Sequence, residues 1–182
     1  MIITIHQPNF IPWYPFFQKM AQADVFILLG HCQFEKNGYQ NRFFFNEMWN
    51  TLSVSKGKIP INEKKYLNPI FDWNKIKKKL FKYRNILEEF DPYIENNLYK
   101  TNKNIIKHIS NKLNINTKIV EDFNTELRST ERLIMLCKHY NATTYLAGQG
   151  SKEYLNLELF KKENIEVIFQ QDMNTIHTLE VL

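Results

Sequence analysis

Residues 24–29 read "DVFILL", five apolar residues in a row after an aspartate. A strand with one wet face alternates between apolar and polar residues. An unbroken run suits a strand covered on both faces, as in a parallel sheet. Upstream, "MIITI" is a short β-branched strand. Between the two runs, "YPFFQKMAQA" carries Phe16, Phe17 and Met20 at helical spacing. Two strands joined by a helix form a right-handed β-α-β crossover, so the first 29 residues already fix the class of fold.

The same alternation returns later. "TKIVEDF" reads as a strand, "STERLIMLCKHY" as a helix opened by a Ser cap, and "TTYLAG" as a strand. "SKEYLNLELFKKEN" then reads as a helix and "IEVIFQ" as the last strand. Alternation at both ends predicts an α/β fold with an open, mostly parallel, doubly wound, Rossmann-like sheet, in one domain over residues 1–182. "RFFF" and "TLSVS" predict further short strands. Residues 72–113 predict an inserted basic helical segment. Asp72 would cap "WNKIKKKLFKYRNILEEF", with Ile76, Leu80, Tyr83 and Leu87 on one face. Asp91-Pro92 would end that helix and start another, and "KNIIKHISNKL" gives a third.

Charge follows the same division. The net +5 is uneven: residues 56–118 carry +9, residues 1–55 balance, and residues 119–182 carry −4. A basic block points to an anionic partner. Lysine without interleaved arginine and aromatics is a poor nucleic-acid signature, so the expected partner is a small anionic molecule and not nucleic acid. A non-catalytic nucleotide- or nucleic-acid-binding module using the basic helices is the competing class. No apolar run reaches the roughly 18 residues that span a bilayer, and no basic leader precedes an apolar stretch. Cys32 and Cys137 form no C-x-x-C, which predicts reduced thiols in a cytoplasmic protein. His31, His108, His139 and His177 show no metal-ligand spacing, so no metal is expected.

Three stretches could carry chemistry. "IHQPNFIPWYPFF" holds three prolines and five aromatics directly after the first strand. Ligands of open α/β sheets bind beyond the carboxyl ends of strands. Pro8 and Pro12 stiffen this turn, making His6, Gln7, Asn9 and Trp13 candidates; an imidazole there can move a proton or bond a phosphate. In "YLAGQGSKEYL", Gly148, Gln149, Gly150, Ser151 and Lys152 follow a strand, where glycines and a helix start would admit an anion. In "YQNRFFF", Asn41 and Arg42 offer an amide and a guanidinium suited to phosphate or carboxylate.

"HQPNFIPWYPFFQKMAQADVFILL", "CQF", "QNR", "ERLIMLCKHYNATTYLAGQGSKEYL" and "IEVIFQ" together resemble the WbqC-like family. The resemblance covers both ends of the chain and fades through the basic middle. It implies bacterial surface-polysaccharide (O-antigen-type) biosynthesis, with an amino acid or acyl group added to an amino sugar. The sequence departs from the family pattern at Gly30 and His31, where acidic residues are usual after the second strand. A looser similarity to nucleotidyltransferase-like enzymes such as pantothenate synthetase, without their full H-x-G-H, implies ATP-activated amide formation. The expected substrate is therefore a nucleotide-linked amino sugar, and the expected co-substrate is ATP or an activated acyl or aminoacyl donor. His6 and Gln7 would be catalytic. Asn9, Trp13, Asn41, Arg42 and residues Gly148 to Lys152 would bind substrate.

Overall fold

Ile2–His6 (β1) and Val25–Leu28 (β2) pair in parallel, with Ile3 opposite Val25 and Ile5 opposite Ile27. All four residues of β2 are buried, as an uninterrupted apolar run requires. The computed structural model describes residues 1–171 and 173–182. Lys118–Glu121 (β5), Thr144–Ala147 (β6) and Glu166–Phe169 (β7) complete a five-stranded parallel sheet in the order β5-β2-β1-β6-β7. Arg42–Phe45 (β3) and Met48–Thr51 (β4) form a separate antiparallel hairpin. In the sheet, the chain runs outward from β1 to β5 on one side, then returns to β6 on the other. This is the doubly wound order, and its reversal lies between β1 and β6.

The sheet buries a different core on each face. Tyr14–Ala21 (α1), Pro69–Lys79 (α2), Arg84–Glu88 (α3) and Leu98–Lys112 (α4) cover one face, where Phe16, Phe17, Trp73, Leu87 and Ile105 pack with Phe26 and Leu28. Ser129–His139 (α5) and Leu157–Lys162 (α6) cover the other, where Leu136 and Phe160 pack with Ile3, Ile5, Ile27 and Tyr145. Residues 72–113 are part of the first wall, within the long connection from β2 to β5. Their lysines lie outward and partly neutralised: Lys77 pairs with Asp91 at 2.7 Å and Lys112 with Glu89 at 2.7 Å.

Several boundaries differ from the sequence expectation. The helix predicted over 73–90 breaks at Leu80, which is buried with φ −102° and ψ 42°. Asp91 accepts from the Trp73 indole and from Lys77, which draws the chain back on itself. The break lets Ile76 and Leu87 reach the same core, which one straight rod would not allow. Asp72 does not cap; it lies in the first turn of α2 and accepts from the Ser53 backbone N–H at 2.8 Å. Asp91–Tyr93 is a single 3-10 turn, and the next helix begins at Leu98, capped by Asn97. "TLSVS" yields only Thr51 to the hairpin. Ser129 opens α5 without a side-chain cap, which leaves the preceding Arg128 in the cap position. Gln149–Ser151 is a short 3-10 turn, and α6 starts six residues later at Leu157. The helix start expected to cradle an anion behind Gly148 is therefore not there.

Candidate functional site

The reversal of strand order opens a crevice beyond the carboxyl ends of β1 and β6. His6 ends β1 on the face of α1, its ring edge-on to Phe16 at 4.8 Å between centroids. The His6 Nδ1 lies 2.9 Å from the Gln7 carbonyl oxygen. A carbonyl can only accept, so Nδ1 carries the proton and Nε2 presents a lone pair. Burial holds the imidazole down at about 3, helped by the nearby Lys19 ammonium and only partly opposed by the bond to Gln7. His6 is thus a neutral acceptor, not a phosphate donor.

Lys19 was not among the residues singled out from sequence. It projects from α1 under the strand ends and is 4 % exposed. Its ammonium reaches the Ile5 carbonyl oxygen at 3.5 Å, and a Cβ built on Gly148 would lie 3.9 Å from it. Burial pushes it down to about 8. An ammonium has three donors, and a single long bond leaves this one underserved. The available signal was positional: Lys19 falls three residues after Phe16 and next to Met20, on the buried face of the helix.

The loop after β1 forms one wall of a cleft of about 410 Å³. His6, Asn9, Ile11 and Trp13 line it, facing Tyr39 and Phe44 on a second wall and Thr175, Ile176 and His177 on a third. Ile11 holds φ at 43°, a left-handed conformation that a β-branched residue adopts only under constraint. The constraint is visible on both sides. Phe10 donates its N–H to the Tyr39 carbonyl at 2.9 Å, and the Thr178 hydroxyl donates to the Pro12 carbonyl at 2.5 Å. His177 is the mirror of His6. Its Nδ1 accepts from the Leu179 N–H at 3.2 Å, so the neutral ring carries its proton on Nε2, which is buried without a partner. Burial holds it down at about 4. The two imidazoles therefore offer one acceptor and one donor, beside the Asn9 amide and the Thr175 hydroxyl and between aromatic walls, and none of the lining residues is Lys, Arg, Asp or Glu.

The remaining predicted residues lie around this cleft or away from it. Gln7 turns aside, donating to the Cys32 sulfur at 3.6 Å and accepting from Gln40. Asn41 is buried and donates to the Leu52 carbonyl at 2.8 Å, which fixes the hairpin. Arg42 lies over the Trp49 ring at 3.9 Å and donates to the carbonyls of Gly38 and Asn37; Trp49 in turn packs on Tyr39 of the cleft wall. Gly148 follows β6 beside Lys19. Gln149 donates to the Gln170 carbonyl, Ser151 donates to the Gly148 carbonyl at 2.6 Å, and Lys152 lies over Phe169. Gly150 has open space where a Cβ would stand. Neither Gly148 nor Gly150 has a positive φ, so neither turn position demands glycine. Among the described residues no cluster of His, Cys, Asp or Glu is built to hold a metal ion, and no helix is long and apolar enough to cross a membrane.

Comparison with known proteins gives three findings. An uncharacterized protein of Mycobacterium tuberculosis, Rv1507c, is 28% identical over 184 residues, covering 91% of this chain and 80% of that one. A solved structure, a Zn(II)-bound mutant variant of AdcAII from Streptococcus pneumoniae, aligns over 99% of this chain and 95% of that chain. Its 13% identity and TM-score of 0.24 are too low to bear on fold or site. The model of the WbqC-like protein family matches residues 7–177, from Gln7 behind the first strand to His177 in the third wall of the cleft. The match takes in all three walls apart from His6, and the chain belongs to the WbqC-like protein family.

Proposed function

We propose that the cleft binds the sugar ring of a nucleotide-linked amino sugar and that the protein acylates its amine. On this reading it is an N-acyl or aminoacyl transferase, or an ATP-dependent ligase, of bacterial surface-glycan biosynthesis. The observation that carries the reading is the pair of neutral histidines of opposite tautomer in an uncharged aromatic cleft. Ligand sites combine apolar walls with a few directed polar groups. A sugar presents apolar ring faces edged by donors and acceptors, which is the complement of these walls.

In the reaction, the amine nitrogen attacks the carbonyl of an activated acyl group. A C–N bond forms, the bond to the leaving group breaks, and the amine's proton leaves with the departing phosphate or thiolate of the activated donor. The amine must be neutral to attack. A positive charge nearby disfavours protonating it, and the Lys19 ammonium would supply that charge. His6 Nε2 would accept a hydrogen bond from the amine and aim its lone pair. His177 Nε2–H would donate to a ring hydroxyl. Asn9 and Trp13 would hold the ring, and Arg42, reached through Trp49 and Tyr39, would meet the phosphates at the rim.

The test is incubation with a nucleotide-linked sugar bearing a free amine, together with ATP and amino acids, or with an acyl thioester. Tryptophan fluorescence follows binding, and mass spectrometry follows the product. The expected result is saturable quenching and a mass gain of one amide. Substituting His6→Gln should keep binding and slow product formation. If no amino sugar binds, or if binding survives intact in a Trp13→Ala, Phe44→Ala double variant, the reading fails. Binding that is instead lost steeply with salt would point to the basic helices and the binding-module alternative.

A further inference from the structure

A second cleft, of about 210 Å³, opens at the same end of the sheet beyond β2 and β5. Gly30 and His31 follow β2 and line one side, Glu121 ends β5, and Asn97, Tyr99, Lys100 and Lys103 come from the start of α4. Beneath it lies a buried ionic cluster. Asp122 has a fully buried side chain and accepts from the Gly30 N–H at 2.7 Å, the His31 N–H at 3.2 Å and the His31 Nδ1 at 2.9 Å. Its second oxygen takes a guanidinium nitrogen of Arg132, and another nitrogen of that group donates to the His31 carbonyl at 3.3 Å. The carboxylate thus fixes His31 by ring and backbone at once, with the proton on Nδ1. The ring nitrogen left over, Nε2, belongs to a side chain that is 32% exposed at the cleft. A histidine oriented in this way through Nδ1 presents the Nε2 lone pair as an acceptor.

Two further groups in the cleft wall are incomplete. The Tyr99 hydroxyl is buried, in a residue 5% exposed; the Glu121 carboxylate is its neighbouring acceptor, but no well-formed hydrogen bond joins them. Burial and the neighbouring Glu121 carboxylate push its titration upward, so it stays a donor. The Asn62 side-chain oxygen, also at the wall, is buried and unpartnered. Buried polar groups left open at a cavity are groups waiting for a ligand atom. The fold protects this arrangement: a Cβ at Gly30 would stand 2.8 Å from the Tyr99 ring, so glycine is what lets the tyrosine close the wall. Lys100, Lys103 and the first turn of a fifteen-residue helix bring positive potential to the mouth, with Lys103 partly spent on Glu121 at 2.9 Å.

We infer that this second cleft is a binding site for the oxyanion of a compact molecule no larger than an amino acid, with Tyr99 and Lys100 donating to the oxyanion and His31 Nε2, oriented by Asp122, accepting from a donor group beside it. The inference does not depend on the reading of the first cleft. Glu121 supplies an acceptor beside the anion site, which favours a molecule carrying a donor next to its oxyanion.

The probes are inorganic phosphate and acetate, titrated separately at constant ionic strength against chloride, with the side-chain resonances of His31 and the Tyr99 ring followed by NMR. Saturable shifts with either probe are expected. Saturation by phosphate alone assigns a phosphoryl group, and saturation by acetate alone assigns a carboxylate. Tyr99→Phe should weaken binding roughly tenfold, the loss of one hydrogen bond to a charged group. It should leave the melting temperature unchanged or higher, because it removes an unpartnered buried hydroxyl. Lys100→Ala should weaken binding without altering the fold. Shifts that stay linear and equal to those in chloride would overturn the inference, as would full affinity in both variants.

Discussion

The two clefts open at the same end of one sheet and solve opposite electrostatic problems. The first keeps its titratable groups neutral: His6 and His177 are both held below their ordinary range by burial, and no charged side chain lines the walls. The second sets its ionisable groups against partners: Asp122 faces Arg132 and His31, and Glu121 faces Lys103. The difference lies in what each strand end meets. Beyond β1 the chain enters a proline- and aromatic-rich loop roofed by a hairpin and the 175–177 segment, so water is displaced by hydrocarbon. Beyond β2 and β5 it meets a helix start and an arginine from α5, so water is displaced by counter-charge. A desolvated neutral group suits a neutral ring, whereas a matched set of charges with unfilled donors suits an ion.

The largest expected effect comes from removing the charge that organises the second cleft. Asp122→Ala leaves a buried guanidinium and two backbone N–H groups unanswered and should cost about 3–5 kcal/mol by chemical denaturation. The contrast between clefts breaks if the loss is below about 1 kcal/mol. Next comes Lys19, the one buried cation beside the first cleft. Its titration falls from 10.5 to about 8 in the fold, so between these values the unfolded chain binds a proton that the folded chain does not. Stability should therefore rise with pH across that window, by up to about 3 kcal/mol. A Lys19→Met variant should lose this dependence. If its pH profile matches the wild type, Lys19 is not buried as described.

The histidines give the same sign at the acid end. Both are lowered from 6.5, His6 to about 3 and His177 to about 4, so stability should fall as pH drops below 6.5. A His6→Gln, His177→Gln double variant should flatten that limb in thermal melts. If the limb persists at full size, the first cleft is not the neutral environment that separates it from the second.

The sequence made the sheet legible because its signals are local. "DVFILL" needs no partner to announce a strand buried on both faces, and the apolar stripe of α4 reads at a glance through Ile105, Ile106 and Ile109. The break at Leu80 was not legible, because the helical pattern runs through it and the cause, Asp91, acts from eleven residues away. The sites divide in the same way. His6, Asn9 and Trp13 sit in one short motif and line the cleft together. His177 reaches them only through tertiary closure, and His31 meets Asp122 across 91 residues. Pairings over such separations leave no spacing rule in the chain.

Smaller effects sharpen the comparison further. Phe44, 51 % exposed on the hairpin, should change stability by less than about 0.5 kcal/mol when replaced by alanine. The same substitution should weaken ligand binding in the first cleft by about 1 kcal/mol through loss of apolar contact with the sugar ring, and leave phosphate binding in the second cleft untouched. Least of all, reversing Lys78 and Lys79 to Glu should leave stability within about 0.5 kcal/mol. It should slow capture of an anionic ligand only at low ionic strength, which a stopped-flow salt series would resolve.

The hydrogen bond from Thr178 to Pro12 joins residues 166 apart in sequence. It also closes the third wall of the first cleft and holds Ile11 in its constrained turn. This ties the site to the order of synthesis. A ribosome can release β1, α1 and β2, and even the whole parallel sheet, before residue 178 has emerged. Until then the aromatic loop has no roof and Ile11 no reason to stay left-handed. The nascent protein can thus own a finished scaffold while its first cleft does not yet exist, and the cleft is completed only once residue 178 has arrived to bond Pro12.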